Sequence, residues 1–158
     1  MINTTVEIAV DCREWYLIDK NIEGVCQETI TKVFENDTVP LPSSKREIGL
    51  LLTTNDRMVD LNKVYRKKNV PTNVLSFGIN SHPNDNDPLL LGDIVLCKEI
   101  IEKEAKEYLK TYENRLKHMI IHGFLHLIGF NHDDNHERIT MEEIETQVMN
   151  NLSAGDPY

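Results

Sequence analysis

Five of the six histidines of this 158-residue chain fall between His118 and His136, in the run HMIIHGFLHLIGFNHDDNH. Three of them, His122, His126 and His132, are spaced H-x3-H-x5-H among otherwise apolar residues. Imidazole nitrogens at such spacing can hold a metal ion. On one helix His118 and His126 would lie roughly 12 Å apart along the axis. Two nitrogens bound to one zinc at about 2.0–2.1 Å are separated by no more than about 4 Å, so that pair cannot share an ion. Histidines one turn apart can, because one turn rises only about 5.4 Å. Gly129, a good residue at a helix C-terminus, follows His126 closely and lets the chain turn back, so that His132 supplies a third nitrogen. The spacing therefore assigns His122, His126 and His132 to one zinc ion. It leaves His118 outside the ligand set, at the rim, and Gly123 leaves room beside the helix face that carries His122.

Three ligands leave a position open for water, as in catalytic zinc sites, whereas structural sites are closed by four ligands and rich in cysteine. No cysteine lies near this stretch. Asp133, Asp134 or His136 could close the site, and that would make the zinc structural instead. An open site points to hydrolysis. Metalloproteases of the H-E-x-x-H type carry a glutamate directly after the first histidine; that position here is Gly123.

The elements that must position this stretch follow from periodicity. Val6, Ile8 and Val10 alternate with polar residues as in a half-buried strand. Ile18, Ile22, Val25, Cys26, Thr29 and Val33 have helical spacing, predicting one amphipathic helix from about 16 to 35. Residues 35–46, with two prolines, read as a loop. Ile48 to Thr53 fits a buried strand. Thr54 or Asn55 caps a short helix with Met58, Leu61, Val64 and Tyr65 as its apolar stripe, ended by Asn69 and Pro71. Asn73 to Phe77 reads as a strand, and residues 80–88, with a solvated His82, as a polar loop. Leu89 to Leu96 is strand-like but interrupted by Gly92 and Asp93; Asp93 either satisfies a backbone donor or faces the site. A charged helix over 97–110, with Glu99–Lys103 and Glu102–Lys106 pairs, precedes the histidine helix, which begins near Glu113. Asp133 or Asp134 caps a last helix to about Leu152, and residues 153–158 form a tail. This order predicts one α+β domain over residues 1–158, a small sheet with helices packed on it.

The net charge of -9 by itself argues against a nucleic-acid partner. It is uneven, however: Arg57, Lys63, Arg66, Lys67 and Lys68 face Asp60 alone within residues 57–68, while residues 131–158 are strongly acidic. No apolar run approaches the roughly 18 residues needed to cross a bilayer. The N-terminus lacks the basic start and apolar core of a secretion signal. Cys12, Cys26 and Cys97 are odd in number and far apart, which fits core fillers in a reducing, cytoplasmic compartment.

HGFLHLIGFNH at 122–132 resembles the signature of the YbeY family of bacterial endoribonucleases. LNKVYRKKNVPTNVLSF at 61–77 and LLGDIVLCKEIIEKEA at 90–105 resemble the family's other two blocks, in the same order. The resemblance implies a zincin-like fold with the metal helix on a small mixed sheet, and zinc on His122, His126 and His132. It implies a zinc-dependent hydrolase that cleaves single-stranded RNA, with roles in small-subunit ribosomal RNA maturation and ribosome quality control. It also singles out Arg66 as catalytic, which suits a guanidinium able to grip a phosphate through two parallel hydrogen bonds; Lys67 and Lys68 would add unspecific attraction for phosphate. Asn73 and Gly78 stand where many members carry Asp and Pro, and neither is a ligand. The competing readings are a zinc peptidase or amide hydrolase, and a non-enzymatic ribosome-associated factor with structural zinc.

Overall fold

A computed structural model describes residues 4–37, 39, 46–78 and 89–158; the expected loop over 80–88, with His82, lies outside them, as do seven residues of the loop placed at 35–46. The strands are β1 (Thr4–Val10), β2 (Arg46–Thr53), β3 (Val74–Gly78) and β4 (Leu89–Cys97), in the order β1-β2-β4-β3. β1, β2 and β4 run parallel, and β3 pairs antiparallel with β4 at one edge. The sheet is mixed and the class α+β, as expected.

Period-two alternation makes the sheet two-faced. Val6, Ile8 and Val10, Ile48, Leu50 and Leu52, and Ile94 and Leu96 point to one side. There they meet α2 (Ile22–Phe34), α5 (Tyr112–Leu127) and α6 (Asn135–Asn151) in the main core. Phe124 of α5 is fully buried at its centre and meets Phe34 edge-on, ring centroids 5.2 Å apart; a side chain so buried stabilises by about 2 kcal/mol. The other side is only half covered. Met58 of α3 (Asn55–Arg66) closes a second, smaller core with Leu75, Val95 and Cys97, flanked by Ile100 of α4 (Lys98–Glu107). The half of that face made by β1 and β2 stays open.

Some local expectations change. The helix expected over 16–35 is two: α1 (Trp15–Ile18) is separated from α2 by an extended Asp19, whose carboxylate accepts the Asn21 N–H at 2.7 Å. Such an aspartate turn competes with continued helix. Thr54 is the N-cap of α3, but its side chain caps nothing; Glu99 instead accepts the Asn55 N–H at 2.6 Å, and of the two expected pairs on α4 only Glu102–Lys106, at 3.6 Å, is present among the described residues. Val64 and Tyr65, assigned to the apolar stripe of α3, are 70% and 63% exposed. β4 runs uninterrupted through Gly92, just after the extra residue Leu91 shifts the register against β2. The tail is held down: Ala154 is buried, and Lys110 Nζ donates to the Asp156 carbonyl at 2.7 Å.

Candidate metal centre

Helix α5 begins at Thr111, whose hydroxyl accepts the Asn114 N–H. It ends as the glycine required. Gly129 adopts φ +100°, its N–H donates to the His126 carbonyl at 3.1 Å, and the Phe130 N–H reaches the Leu125 carbonyl at 2.9 Å. This is a Schellman close, which a residue with a Cβ adopts poorly. It reverses the chain and returns His132 to the end of the helix. The His132 ring then lies 5.0 Å from that of His126 and 5.6 Å from that of His122. One nitrogen from each of His122, His126 and His132 falls within 4.8 Å of the others.

The hydrogen bonds of the two helical rings decide what the cluster can hold. His122 Nδ1 lies 2.6 Å from Glu145 Oε1, and His126 Nδ1 lies 2.9 Å from the Phe130 carbonyl. Both partners only accept, so both Nδ1 atoms carry the proton. The neutral rings then aim two Nε2 lone pairs at one another across 3.0 Å. That arrangement is repulsive unless a proton or a cation stands between them. Burial, with the charges of His122, His132 and Arg66, holds the His126 pKa below its usual value, which disfavours the proton. The residues therefore fit a metal cation bound through imidazole nitrogen.

Glu145, on α6, is the residue that spacing alone did not single out. It is fully buried, and its Oε2 lies 2.8 Å from His118 Nε2 and also accepts the Tyr158 hydroxyl. Burial alone would raise its pKa, but hydrogen bonds from His118, His122 and Tyr158 outweigh it and hold the carboxyl at about 2. His118 is thus buried behind the cluster, not at the rim. Its other nitrogen meets Arg115 at 3.2 Å; Arg115 pairs with Glu104 at 3.1 Å, and Glu104 accepts from Asn73 Nδ2 at 2.9 Å. A chain of polar contacts thus runs from Asn73, just before β3, to His122. A signal for Glu145 was present in the sequence. Met141, Ile144, Val148 and Met149 form the buried stripe of α6, and a carboxylate among them needs a partner.

Gly123 does not open space beside His122. It is where α5 presses on the sheet: a Cβ there would lie 2.9 Å from Val74 Cγ2 and 3.0 Å from Ile94 Cγ2, and Ser76 Oγ donates to the Gly123 carbonyl at 2.7 Å. A glutamate has no room at that position. Of the residues that could have closed the ligand set, Asp134 caps α6 by accepting the Glu137 N–H at 2.8 Å, while Asp133 and His136 are exposed.

Arg66 ends α3, exposed, close enough for its charge to act on His126. It also lines a groove of about 980 Å³ between α3 and the open face of the sheet, with Asp93, Tyr65 and Phe77. Asp93 is exposed there: it alternates with the buried Ile94, and the extra residue Leu91 lets Leu91 face the core without carrying Asp93 with it. Lys67, with φ 56°, turns the chain away; Lys67 and Lys68 are exposed and do not line the groove. No helix of the described residues is long and apolar enough to cross a membrane.

The chain matches the family described as endoribonuclease YbeY over residues 9–153. A protein named endoribonuclease YbeY from Bartonella bacilliformis is 42% identical over 99% of this chain and 96% of its own length. One of the same name from Bartonella quintana is 36% identical over 98% and 96%, and one from Rhizobium etli 39% identical over 78% and 73%. The solution structure of a Thermotoga maritima protein shares the fold, with a TM-score of 0.54 at 21% identity over 94% of this chain and 92% of that one.

Proposed function

The chain belongs to the endoribonuclease YbeY family, and from that premise we propose that it is a zinc-dependent endoribonuclease. Its substrate is single-stranded RNA, and its place is the cytoplasm, in small-subunit ribosomal RNA maturation and ribosome quality control. His122, His126 and His132 hold the ion. The observation that carries this reading is the pair of Nε2 lone pairs 3.0 Å apart, with the Arg66 guanidinium close enough to act on one of them. A bound zinc ion would activate water and polarise a phosphoryl oxygen.

The protein's own groups do the remaining work. Glu145 and the Phe130 carbonyl keep protons on both Nδ1 atoms, so that both Nε2 atoms face the ion; such partners tune and orient metal ligands. Arg66 grips the phosphate and steadies the charge that grows on it as the bond to the leaving oxygen breaks. Lys67 and Lys68, exposed beside it, add unspecific attraction for the RNA backbone. The alternative of a peptidase is disfavoured by the packing at Gly123, and that of a structural zinc by the capping role of Asp134.

The test is cleavage of a single-stranded oligoribonucleotide by the zinc-loaded protein, by the chelated protein and by Arg66→Ala. Chelation is expected to abolish cleavage. Loss of the arginine is expected to lower kcat/KM by about 100-fold, as for other groups that stabilise transition-state charge. Chelator-insensitive cleavage, or full activity in Arg66→Ala, would sink the reading.

A further inference from the structure

The groove on the open face of the sheet holds a carboxylate that the metal centre does not use. Asp93 is exposed in it and makes no side-chain hydrogen bond or ion pair with any described residue. The sheet leaves it space: Gly49 is its neighbour across the β2–β4 ladder, and a Cβ on Gly49 would lie 2.2 Å from Asp93 Oδ1. Phe77, its partner on β3, meets the exposed ring of Tyr65 at a centroid distance of 4.7 Å. Arg66, next along α3, lines the same groove. Gly78 of the edge strand β3 also lines the groove, and a Cβ there would lie 3.9 Å from the carbonyl of Leu127, the residue after His126, so this end of the groove adjoins the end of the histidine helix.

These charges sort the parts of a nucleotide. Asp93 and Glu7 repel phosphate and Arg57, also on the groove, is paired with Asp11 at 3.2 Å, so the sugar–phosphate backbone stays at Arg66, while an uncharged base can enter. Tyr65 and Phe77 offer the aromatic surface on which unpaired bases stack. An ionised carboxylate only accepts hydrogen bonds. Guanine presents two neighbouring donors, N1–H and the N2 amino group, to its two oxygens. Uracil presents one N–H flanked by two carbonyl oxygens, which the carboxylate repels. We propose that this groove is a base-recognition subsite, in which Asp93 selects guanine beside the scissile phosphate and Tyr65 with Phe77 stack upon it. The inference rests on the RNA-cleaving reading above.

The experiment compares cleavage by the zinc-loaded protein at a single guanosine in an oligouridine tract with cleavage of the all-uridine strand. The expected preference for guanosine is roughly tenfold, the size of one two-pronged base contact. Asp93→Asn keeps the shape but offers an amide, and should remove most of that preference. Gly49→Ala, whose methyl pushes the carboxylate aside, should reduce it without changing any charge. Tyr65→Ala should lower cleavage of both strands. Zinc content and thermal melting verify that each variant is folded. Equal cleavage of the two strands by the unaltered protein, or a preference that survives both Asp93→Asn and Gly49→Ala, overturns the subsite and leaves RNA cleavage standing. Failure of the unaltered protein to cleave or bind either strand overturns the RNA reading, and the subsite with it.

Discussion

Replacing Glu145 by glutamine should weaken zinc binding without removing any ligand. Three donors converge on this carboxylate: His122 Nδ1–H on Oε1, and His118 Nε2–H with the Tyr158 hydroxyl on Oε2. A glutamine offers one acceptor oxygen and one NH2 group. If the NH2 faces His122, that ring must move its proton to Nε2 and lose the lone pair that meets the metal. If it faces His118 instead, that ring must protonate Nδ1, which then opposes the Arg115 guanidinium across 3.2 Å. Either way a buried donor loses its partner, at a cost of about 1–3 kcal/mol. The dissociation constant for zinc should rise about 10- to 100-fold, the usual effect of removing a ligand's supporting group. Competition against a chromophoric chelator measures it. In the metal-free protein the melting temperature should fall by about 2–10 °C. The acid limb should change as well. The Glu145 pKa is depressed to about 2 from an ordinary 4.5, so its contribution is complete above about pH 4.5 and is lost as pH falls toward 2. A shift of that size corresponds to about 3 kcal/mol, and the glutamine variant should lack that part of the pH dependence. A zinc affinity within twofold of the parent, with an unchanged acid limb, would refute the role given to this carboxylate.

Gly123→Ala brings a methyl within 2.9 Å of Val74 Cγ2. Overpacking of about 1–3 kcal/mol outweighs the gain of up to about 1 kcal/mol in helix propensity, so denaturant unfolding should show a less stable protein; a stabilised variant would contradict the close helix–sheet contact. Burial pushes the Cys26 thiol up to about 12 and the Cys97 thiol up to about 11. Both should stay protonated and resist alkylation at pH 8 in the native state, with Cys12 reacting first and all three labelled after unfolding. Rapid native labelling of Cys26 would show that the α2 face is not packed as described.

What was legible in the sequence was local. Helical rise excludes His118 and His126 from one ion, and Gly129 can take the positive φ that returns His132; both follow from spacing within one turn or one reversal. The alternating strands and an aspartate cap at 133 or 134 are legible for the same reason, and the structure gives the cap to Asp134. The supporting shell was not, because it joins elements distant in the chain. Glu145 meets His118 and His122 only when α6 lies against α5, and the tail brings Tyr158 to the same carboxylate. Arg66 lines the groove with Asp93 and Phe77 only because α3 lies over that face of the sheet. Asp93 shows the difference most directly. Side chains alternate along a strand, so one bulged residue reverses which face they take. Spacing left Asp93 between a buried bond and the site; the bulge at Leu91 and the bare backbone of Gly49 let it face the groove. Residue types and spacing thus determined which ligands could share an ion, and tertiary packing decided what holds those ligands and what lies beside them, because hydrogen bonds and registers between elements are set only when the elements meet.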